Sequence, residues 1–251
     1  MYFDQQEYDI RFEWGLSGLQ TLLPICELIV IVDVFSFTTC VDIVVGKGSI
    51  VYPYRGEASV LPEFAQERGA LYADPSRKHT PNSNRTQSSP YSLAPSSLVA
   101  MPAGTKFVLP SPNGSVLSAA TGDVPTMAGC LRNASAVAMV ANRFASKIGV
   151  IAAGERWRDA NRSLRPSLED YIGAGAIISG LHGTRSPEAE MTAIAFDHAQ
   201  PTLLETLTRC GSGKELIGRG FAEDVQLAGQ LNVSDAVPVL DDGAYRNKDL
   251  S

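Results

Sequence analysis

Three short clusters of polar residues stand where an expected strand gives way to a turn or a helix, and each carries groups able to do chemistry. The first is Asp33, at the end of the run Leu28-Ile29-Val30-Ile31-Val32 and just ahead of Ser36, Thr38 and Thr39. A carboxylate at the carboxyl end of a buried parallel strand lies where open α/β sheets bind ligands, and it could hold a divalent cation or orient a phosphate. It could equally cap the helix that follows. The second cluster is Ser111-Pro112-Asn113-Gly114-Ser115. Free backbone N–H groups and a hydroxyl at a helix start suit an anion, although a plain turn capped by Asn113 or Ser115 accounts for the same residues. The third runs through Glu155, Arg156, Arg158, Asp159, Arg162 and Arg165 to the adjacent carboxylates Glu169 and Asp170. Guanidinium groups match phosphate geometry, and paired carboxylates suit a hard divalent cation. The same acids also offset a helix dipole, and loop arginines are commonly solvated.

For these clusters to act together, the chain has to bring them to one edge of a sheet. Residues 28–32 form a continuous apolar, mostly β-branched run that reads as a buried parallel strand. Residues 36–45 read as a helix stopped at Gly46, 49–54 as a strand, 57–68 as an amphipathic helix and 70–73 as another strand. The alternation continues through 105–109, 116–120, 124–127, 134–145 and 147–152. Helices are expected from Pro166 onward and near 188–198, 203–209 and 222–231, with the run Gly173-Ala174-Gly175-Ala176 suited to a helix packed closely on its neighbour. The pattern predicts an α/β fold, a three-layer α/β/α arrangement around a largely parallel or mixed sheet, in a single domain over residues 1–251. Two stretches interrupt it: residues 74–97, rich in Ser, Pro, Asn and Thr, and the arginine-bearing loop 154–165. The first is too long for an ordinary connector and is expected on a pocket rim.

Composition limits the partners. The chain has 251 residues, 21 Lys and Arg against 27 Asp and Glu, and a net charge of −6, which argues against nucleic acid or an anionic membrane surface. Small anions stay open, because a local group of arginines can oppose the global sign. Cys26, Cys40, Cys130 and Cys210 are dispersed without a Cys-x-x-Cys pair, which favours buried reduced thiols over a disulfide framework. Neither a signal-peptide pattern nor a membrane-length apolar run is present, so a cytoplasmic location is expected. A covalent aspartyl-phosphate route would want a second Asp two residues after Asp33. Phe35 holds that position, which favours direct attack by water.

Taken in order, several motifs resemble the 2-phosphosulfolactate phosphatases. They are Ile31-Val32-Asp33-Val34 with Thr38-Thr39, Asn113-Gly114-Ser115, Ala128-Gly129 with Asn133, Ala153-Gly154, Glu169-Asp170 before Ala174-Gly175, and Gly220-Phe221-Ala222-Glu223-Asp224. The resemblance implies Mg2+-dependent hydrolysis of a small phosphate monoester, 2-phosphosulfolactate or a related phospho-hydroxy acid, in coenzyme M biosynthesis. It implies a Mg2+ site and catalytic residues from Asp33, Glu169 and Asp170. Substrate contacts would come from Thr38, Thr39, Asn113, Gly114, Ser115, Arg156 and Arg158. The partners expected are a small anionic phosphorylated substrate and, for the chain itself, a possible homodimer. The chain departs from the family at Ser36, where an arginine is usual, and at Ala73-Asp74-Pro75 and Gln87-Ser88-Ser89-Pro90, which stand for Gly-Glu-Arg and Gly-Asn-Ser-Pro. Arg77, Arg85, Arg156 or Arg158 could restore the lost charge. The alternative is a divergent protein of the same fold that binds a small anion without turning it over.

Overall fold

A computed structural model describes residues 3–75 and 89–248. In chain order the elements are β1 (Ile10–Trp14), α1 (Gly15–Leu22), β2 (Leu28–Val32), α2 (Phe37–Val45), β3 (Ile50–Tyr54), α3 (Leu61–Glu67), β4 (Leu71–Tyr72), α4 (Pro95–Leu98), β5 (Lys106–Pro110), α5 (Gly114–Ala120) and β6 (Thr126–Gly129). There follow α6 (Ala134–Phe144), β7 (Ile148–Ala152), β8 (Glu155–Arg156), β9 (Leu164–Arg165), α7 (Leu168–Ile178), α8 (Pro187–Ala199), α9 (Leu203–Arg209), α10 (Gly211–Gly218), α11 (Ala222–Ala228), β10 (Pro238–Asp241) and β11 (Ala244–Asn247).

Nine strands form one mixed sheet in the order β1-β7-β2-β6-β10-β11-β3-β5-β4. The block β1-β7-β2-β6 is parallel throughout, as is β3-β5-β4, and the antiparallel hairpin β10–β11 joins the two. β2 sits inside the first block and is buried on both sides, as its unbroken apolar run requires. Its alternate residues separate the layers. Ile29 and Ile31 pack with Leu19 and Leu22 of α1 and Leu117 of α5, while Val30 and Val32 pack with Val137 of α6 and Ile172 and Ile177 of α7. The expected three-layer α/β/α architecture is therefore present.

Three antiparallel joins separate β2 from β5, so a flat sheet would place their carboxyl ends on opposite edges. Five steps of strand twist, about 20–25° each, rotate β5 by roughly 100–125° relative to that flat arrangement. The sheet thus coils, and it coils around α2. Every residue of α2 is buried, with neighbours on β3, β6, β11 and α4. A helix without a solvent face is a core element, and its composition, Phe-Thr-Thr-Cys-Val-Asp-Ile-Val-Val, suits that place.

The structure adds elements that the periodicity does not reveal. β1 carries Arg11, fully buried with its guanidinium on the carbonyls of Gln5, Gln6 and Asp9, where a charged residue argues against a core strand. Residues 154–165 are not an open loop: Glu155 pairs with Arg165 and Arg156 with Leu164 in a short hairpin. The described ends of the stretch 74–97 pack against the rest of the fold. Asp74 N donates to Tyr91 O at 2.7 Å, the Tyr91 ring meets Phe107 edge-on, and Ser92, Ala94 and Leu98 are buried. Residues 76–88, including Arg77, Arg85, Gln87 and Ser88, lie outside the described residues. All four cysteines are free and buried. Among the described residues no helix is long and apolar enough to cross a membrane.

Candidate active site

The three clusters do meet. Asp33 follows β2 directly, and its two carboxylate oxygens receive one backbone N–H each: Oδ1 accepts from Phe37 N at 3.2 Å and Oδ2 from Gly114 N at 3.0 Å. One side chain thus ties the first turn of α2 to the first turn of α5, 81 residues further along the chain. The approach is close enough to require glycine. A Cβ on Gly114 would stand 2.1 Å from Phe37 Cδ1. Capping by Asp33, the plainer of its two expected roles, is present twice over, and it leaves the carboxylate at the cleft floor.

Asp170 makes the corresponding tie to β7. Oδ1 accepts from Val34 N at 2.7 Å, and Oδ2 accepts from Gly154 N at 2.9 Å and from Ser167 Oγ at 2.8 Å. Burial pushes its pKa well above the usual carboxylate range, and the neighbouring charges of Asp33 and Glu169 push the same way. With three donors on it, Asp170 holds the loops after β2 and β7 together and positions the floor rather than reaching into the cleft. Glu169, also buried, accepts a long contact from the Cys210 thiol at 3.5 Å. Burial and the Glu169 carboxylate raise that thiol to about 11, so it stays protonated.

The hydroxyls of Thr38, Thr39 and Ser115 turn inward. Thr38 Oγ1 donates to Asp33 O at 2.8 Å, Thr39 Oγ1 to Val34 O at 2.9 Å and Ser115 Oγ to Leu109 O at 2.9 Å, and all three residues are fully buried. Expected as substrate contacts, they each give their hydroxyl proton to a backbone carbonyl of the floor loops. Gly114 N is likewise committed, to Asp33 and to Ser111 Oγ at 3.1 Å. Asn113 does face the chemistry. Its Nδ2 donates to Glu155 Oε2 at 3.3 Å, and its buried Oδ1 has no hydrogen-bond partner among the described residues.

Glu155 is the residue that sequence reasoning placed among the loop charges without a role. Burial raises its pKa to about 7, with Asp33 and then Glu169 adding to the shift, against the opposing pull of Arg165 and the Asn113 hydrogen bond. A carboxylate that changes protonation near neutrality suits general acid–base work. The only early signal was its place directly after Ala152-Ala153-Gly154, at the end of a strand.

Above this floor opens a cleft of about 1280 Å³, whose walls include Ser36, Pro75, Leu93, the β8–β9 hairpin and α10. Arg156 and Arg158, both expected to contact substrate, line it, as do Arg162, Arg165 and Arg219. Among the described residues Arg156 and Arg162 have no side-chain partner, whereas Arg158 pairs with Glu215 at 3.0 Å on an exposed surface. The donors that could face a hard cation are carboxylates, and their mutual crowding, visible in the raised Glu155, is what a divalent ion would relieve. Among the described residues, however, no three His, Cys, Asp or Glu side chains are close enough to enclose an ion.

Fold and cleft define an α/β/α protein with a carboxylate floor and an arginine wall, an arrangement suited to a small phosphorylated anion. Over residues 20–243 the chain matches the family model described as 2-phosphosulpholactate phosphatase, and it belongs to that family. It is 31% identical over 141 residues to the 2-phosphosulfolactate phosphatase of Methanothermobacter thermautotrophicus, covering 56% of this chain and 58% of that protein. It is 33% identical over 138 residues to a probable 2-phosphosulfolactate phosphatase of Carboxydothermus hydrogenoformans, covering 54% and 55%. The chain spans a little over half the length of these curated relatives.

Proposed function

We propose that this chain hydrolyses a small phosphate monoester, 2-phosphosulfolactate or a related phospho-hydroxy acid, with Mg2+. The observation that carries this reading is the meeting of Asp33, Asn113 and Glu155 at the floor of a cleft whose wall presents Arg156 and Arg162. In the proposed reaction Arg156 faces the phosphate oxygens, where a guanidinium offsets charge as it develops on them. The Asn113 amide holds Glu155 against the same group. Glu155, poised near neutral pH, takes a proton from the attacking water or returns one to the leaving oxygen. Asp170 and Thr38 keep the floor rigid, so the carboxylates do not reorient during the reaction.

Mg2+ would be held by few carboxylates, Asp33 foremost and Glu169 near it, with phosphate and water oxygens completing its shell. Asp170, its oxygens taken by three donors, would only orient them. Once bound, such an ion neutralises phosphate charge and makes a bound water more acidic. The relatives' names motivate the choice of 2-phosphosulfolactate. Coenzyme M biosynthesis as the setting, the cytoplasm as the location and a homodimer as the assembly belong to the same proposal.

The direct test is inorganic phosphate release from 2-phosphosulfolactate with and without Mg2+, for the parent and for Glu155→Gln. Mg2+-dependent release by the parent, reduced at least 100-fold in the variant, is the expected outcome. The alternative, an anion-binding protein that does not turn its ligand over, is favoured by Ser36 and by Ala73-Asp74-Pro75, where the family it resembles carries arginines. Tight binding of the ester by calorimetry without any phosphate release would establish that alternative and overturn the phosphatase reading.

A further inference from the structure

The motif Gly220-Phe221-Ala222-Glu223-Asp224 stands out in the sequence but takes no part in the cleft floor. It ends on a buried carboxylate. Asp224, in the first turn of α11, is fully buried, and its Oδ1 accepts from Ser96 N at 2.9 Å, 128 residues away along the chain. Ser96 is the second residue of α4, a helix of only four residues. The N-cap of that helix is Ala94, which has no side-chain acceptor, and Pro95 has no N–H. Ser96 N is therefore the first donor of α4, and Asp224 caps it from another element.

The other end of α4 is held in a similar way. Lys47 Nζ donates to Leu98 O at 3.2 Å, to Met101 O at 3.1 Å and to Val99 O. A carboxylate sits at the N-terminus and an ammonium at the C-terminus, the signs that a helix dipole favours. One turn of helix does not persist alone in water. These contacts keep it, with the burial of Leu98 in the cluster that holds Phe37 and Val41 of α2.

The segment that α4 anchors is an edge of the cleft. Ser97 Oγ accepts from Ser92 N at 3.1 Å and donates to Ala94 O at 2.7 Å, which closes residues 92–97 into a compact knot around Leu93. Asp74 and Ser92 form a parallel bridge, so the residues that follow them, Pro75 and Leu93, are neighbours on one face. Both line the cleft, as do Phe35 and Asp33. The cleft thus has an apolar lip as well as an arginine wall, and Asp224 is tied to that lip through Ser96.

We propose that Asp224 is a positioning residue for substrate affinity: by capping α4 it holds Leu93 and Pro75 where the carbon skeleton of the bound ester rests. This rests on the phosphatase reading, because the ester is the ligand that the lip meets. Asp224 touches neither the ester nor the floor. Its loss therefore removes binding that ground state and transition state share, which raises KM and leaves kcat in place.

The test measures phosphate release from 2-phosphosulfolactate in Mg2+. Asp224→Ala should raise KM about tenfold with kcat within twofold of the parent. Asp224→Asn keeps an acceptor oxygen for Ser96 N and should hold KM within about twofold. In a Leu93→Ala background, where the lip is already gone, Asp224→Ala should add less than twofold to KM. Lys47→Met loosens the other end of α4 and should raise KM about threefold, which keeps the proposal open to refutation if Asp224→Ala does not fold. A parental KM in the variants that fold, or a KM effect of Asp224→Ala that is undiminished beside Leu93→Ala, overturns the proposal. If the parent releases no phosphate, the phosphatase reading fails, and calorimetric titration with 2-phosphosulfolactate decides the positioning role by itself. A dissociation constant raised about tenfold in Asp224→Ala and restored in Asp224→Asn sustains it, and an unchanged constant or an absence of binding refutes it.

Discussion

The floor and the wall of the cleft are built on opposite principles. On the floor, Asp33 and Asp170 are buried, and backbone N–H groups of Phe37, Gly114, Val34 and Gly154 and the Ser167 hydroxyl donate to them. The wall is the β8–β9 hairpin leaning on α10 through the part-buried Arg165–Ser212 hydrogen bond and an ion pair whose side chains are 89% and 47% exposed. Backbone donors aimed at a buried carboxylate are fixed when the chain folds. Solvated guanidinium groups are fixed only when something anionic arrives. The floor is thus preorganised, and the wall is recruited by its ligand.

Substitutions at the floor should be the most damaging. Asp33→Asn is expected to lower the phosphatase rate by at least 1000-fold, about 4 kcal/mol of transition-state stabilisation. Asparagine would ordinarily replace aspartate well as a cap. Here both oxygens receive an N–H, so the amide end faces a donor, and a loss of about 1–2 kcal/mol in a thermal melt should accompany the rate effect. A variant with parental turnover per folded molecule would show that Asp33 is a cap and nothing more.

Asp170→Ala is expected to cost about 3 kcal/mol in chemical denaturation, since it leaves Val34 N and Gly154 N buried without acceptors. A loss below about 1 kcal/mol would mean that the two loops hold their shape without it.

Glu155 contributes one part of the pH dependence, beside Asp170, whose pKa is raised in the same direction. The folded pKa of Glu155 is raised, to about 7, so at this group the folded state binds more protons than the unfolded state between about 4.5 and 7. Its share of the stability without divalent ions should therefore fall as pH rises through that window and level off above it, by at most about 3 kcal/mol. Glu155→Gln should flatten this part of the profile, and a profile unchanged by the substitution would remove Glu155 as a source of it. The smallest effect belongs to the wall. Arg158→Ala should change the melting free energy by less than about 0.5 kcal/mol, because the ion pair it loses is solvated. A larger loss would mean that the hairpin is held by the fold after all, and would erase the contrast between floor and wall.

The floor was more legible in the sequence than the wall. A β-branched run ending at Asp33, a turn at Asn113-Gly114 and a helix opening on Glu169-Asp170 are local patterns, and each survives in the structure. That they converge follows from the rule that ligands bind beyond strand carboxyl ends. What those patterns could not convey is the use of each group. Asp170 reads as an ordinary first-turn acid until its partner, Val34 N, proves to lie 136 residues away. Thr38 and Thr39 read as ligand contacts until the coil of the sheet buries α2 and turns their hydroxyls onto the backbone. Glu155 depends on burial, which no spacing reveals. β1 was hidden by the buried Arg11, and β10–β11 by the polar turn at Asp241, Asp242 and Gly243 and by the lysine and arginine around it.

The hairpin at the middle of the sheet has a consequence for how the molecule is made. Every strand of both parallel blocks has been synthesised once the ribosome passes Ala152, but the two strands that join them, Pro238–Asp241 and Ala244–Asn247, come some 85 residues later. Until they emerge, α2 has a sheet on either side with nothing closing the gap between them, and two rows of unpaired backbone groups on β6 and β3 face each other. Closure is therefore a late, long-range event of the kind that slows folding and exposes strand edges to wrong partners. Over that interval the facing edges of β6 and β3 stay open, and the sheet closes only when β11 pairs beside β3.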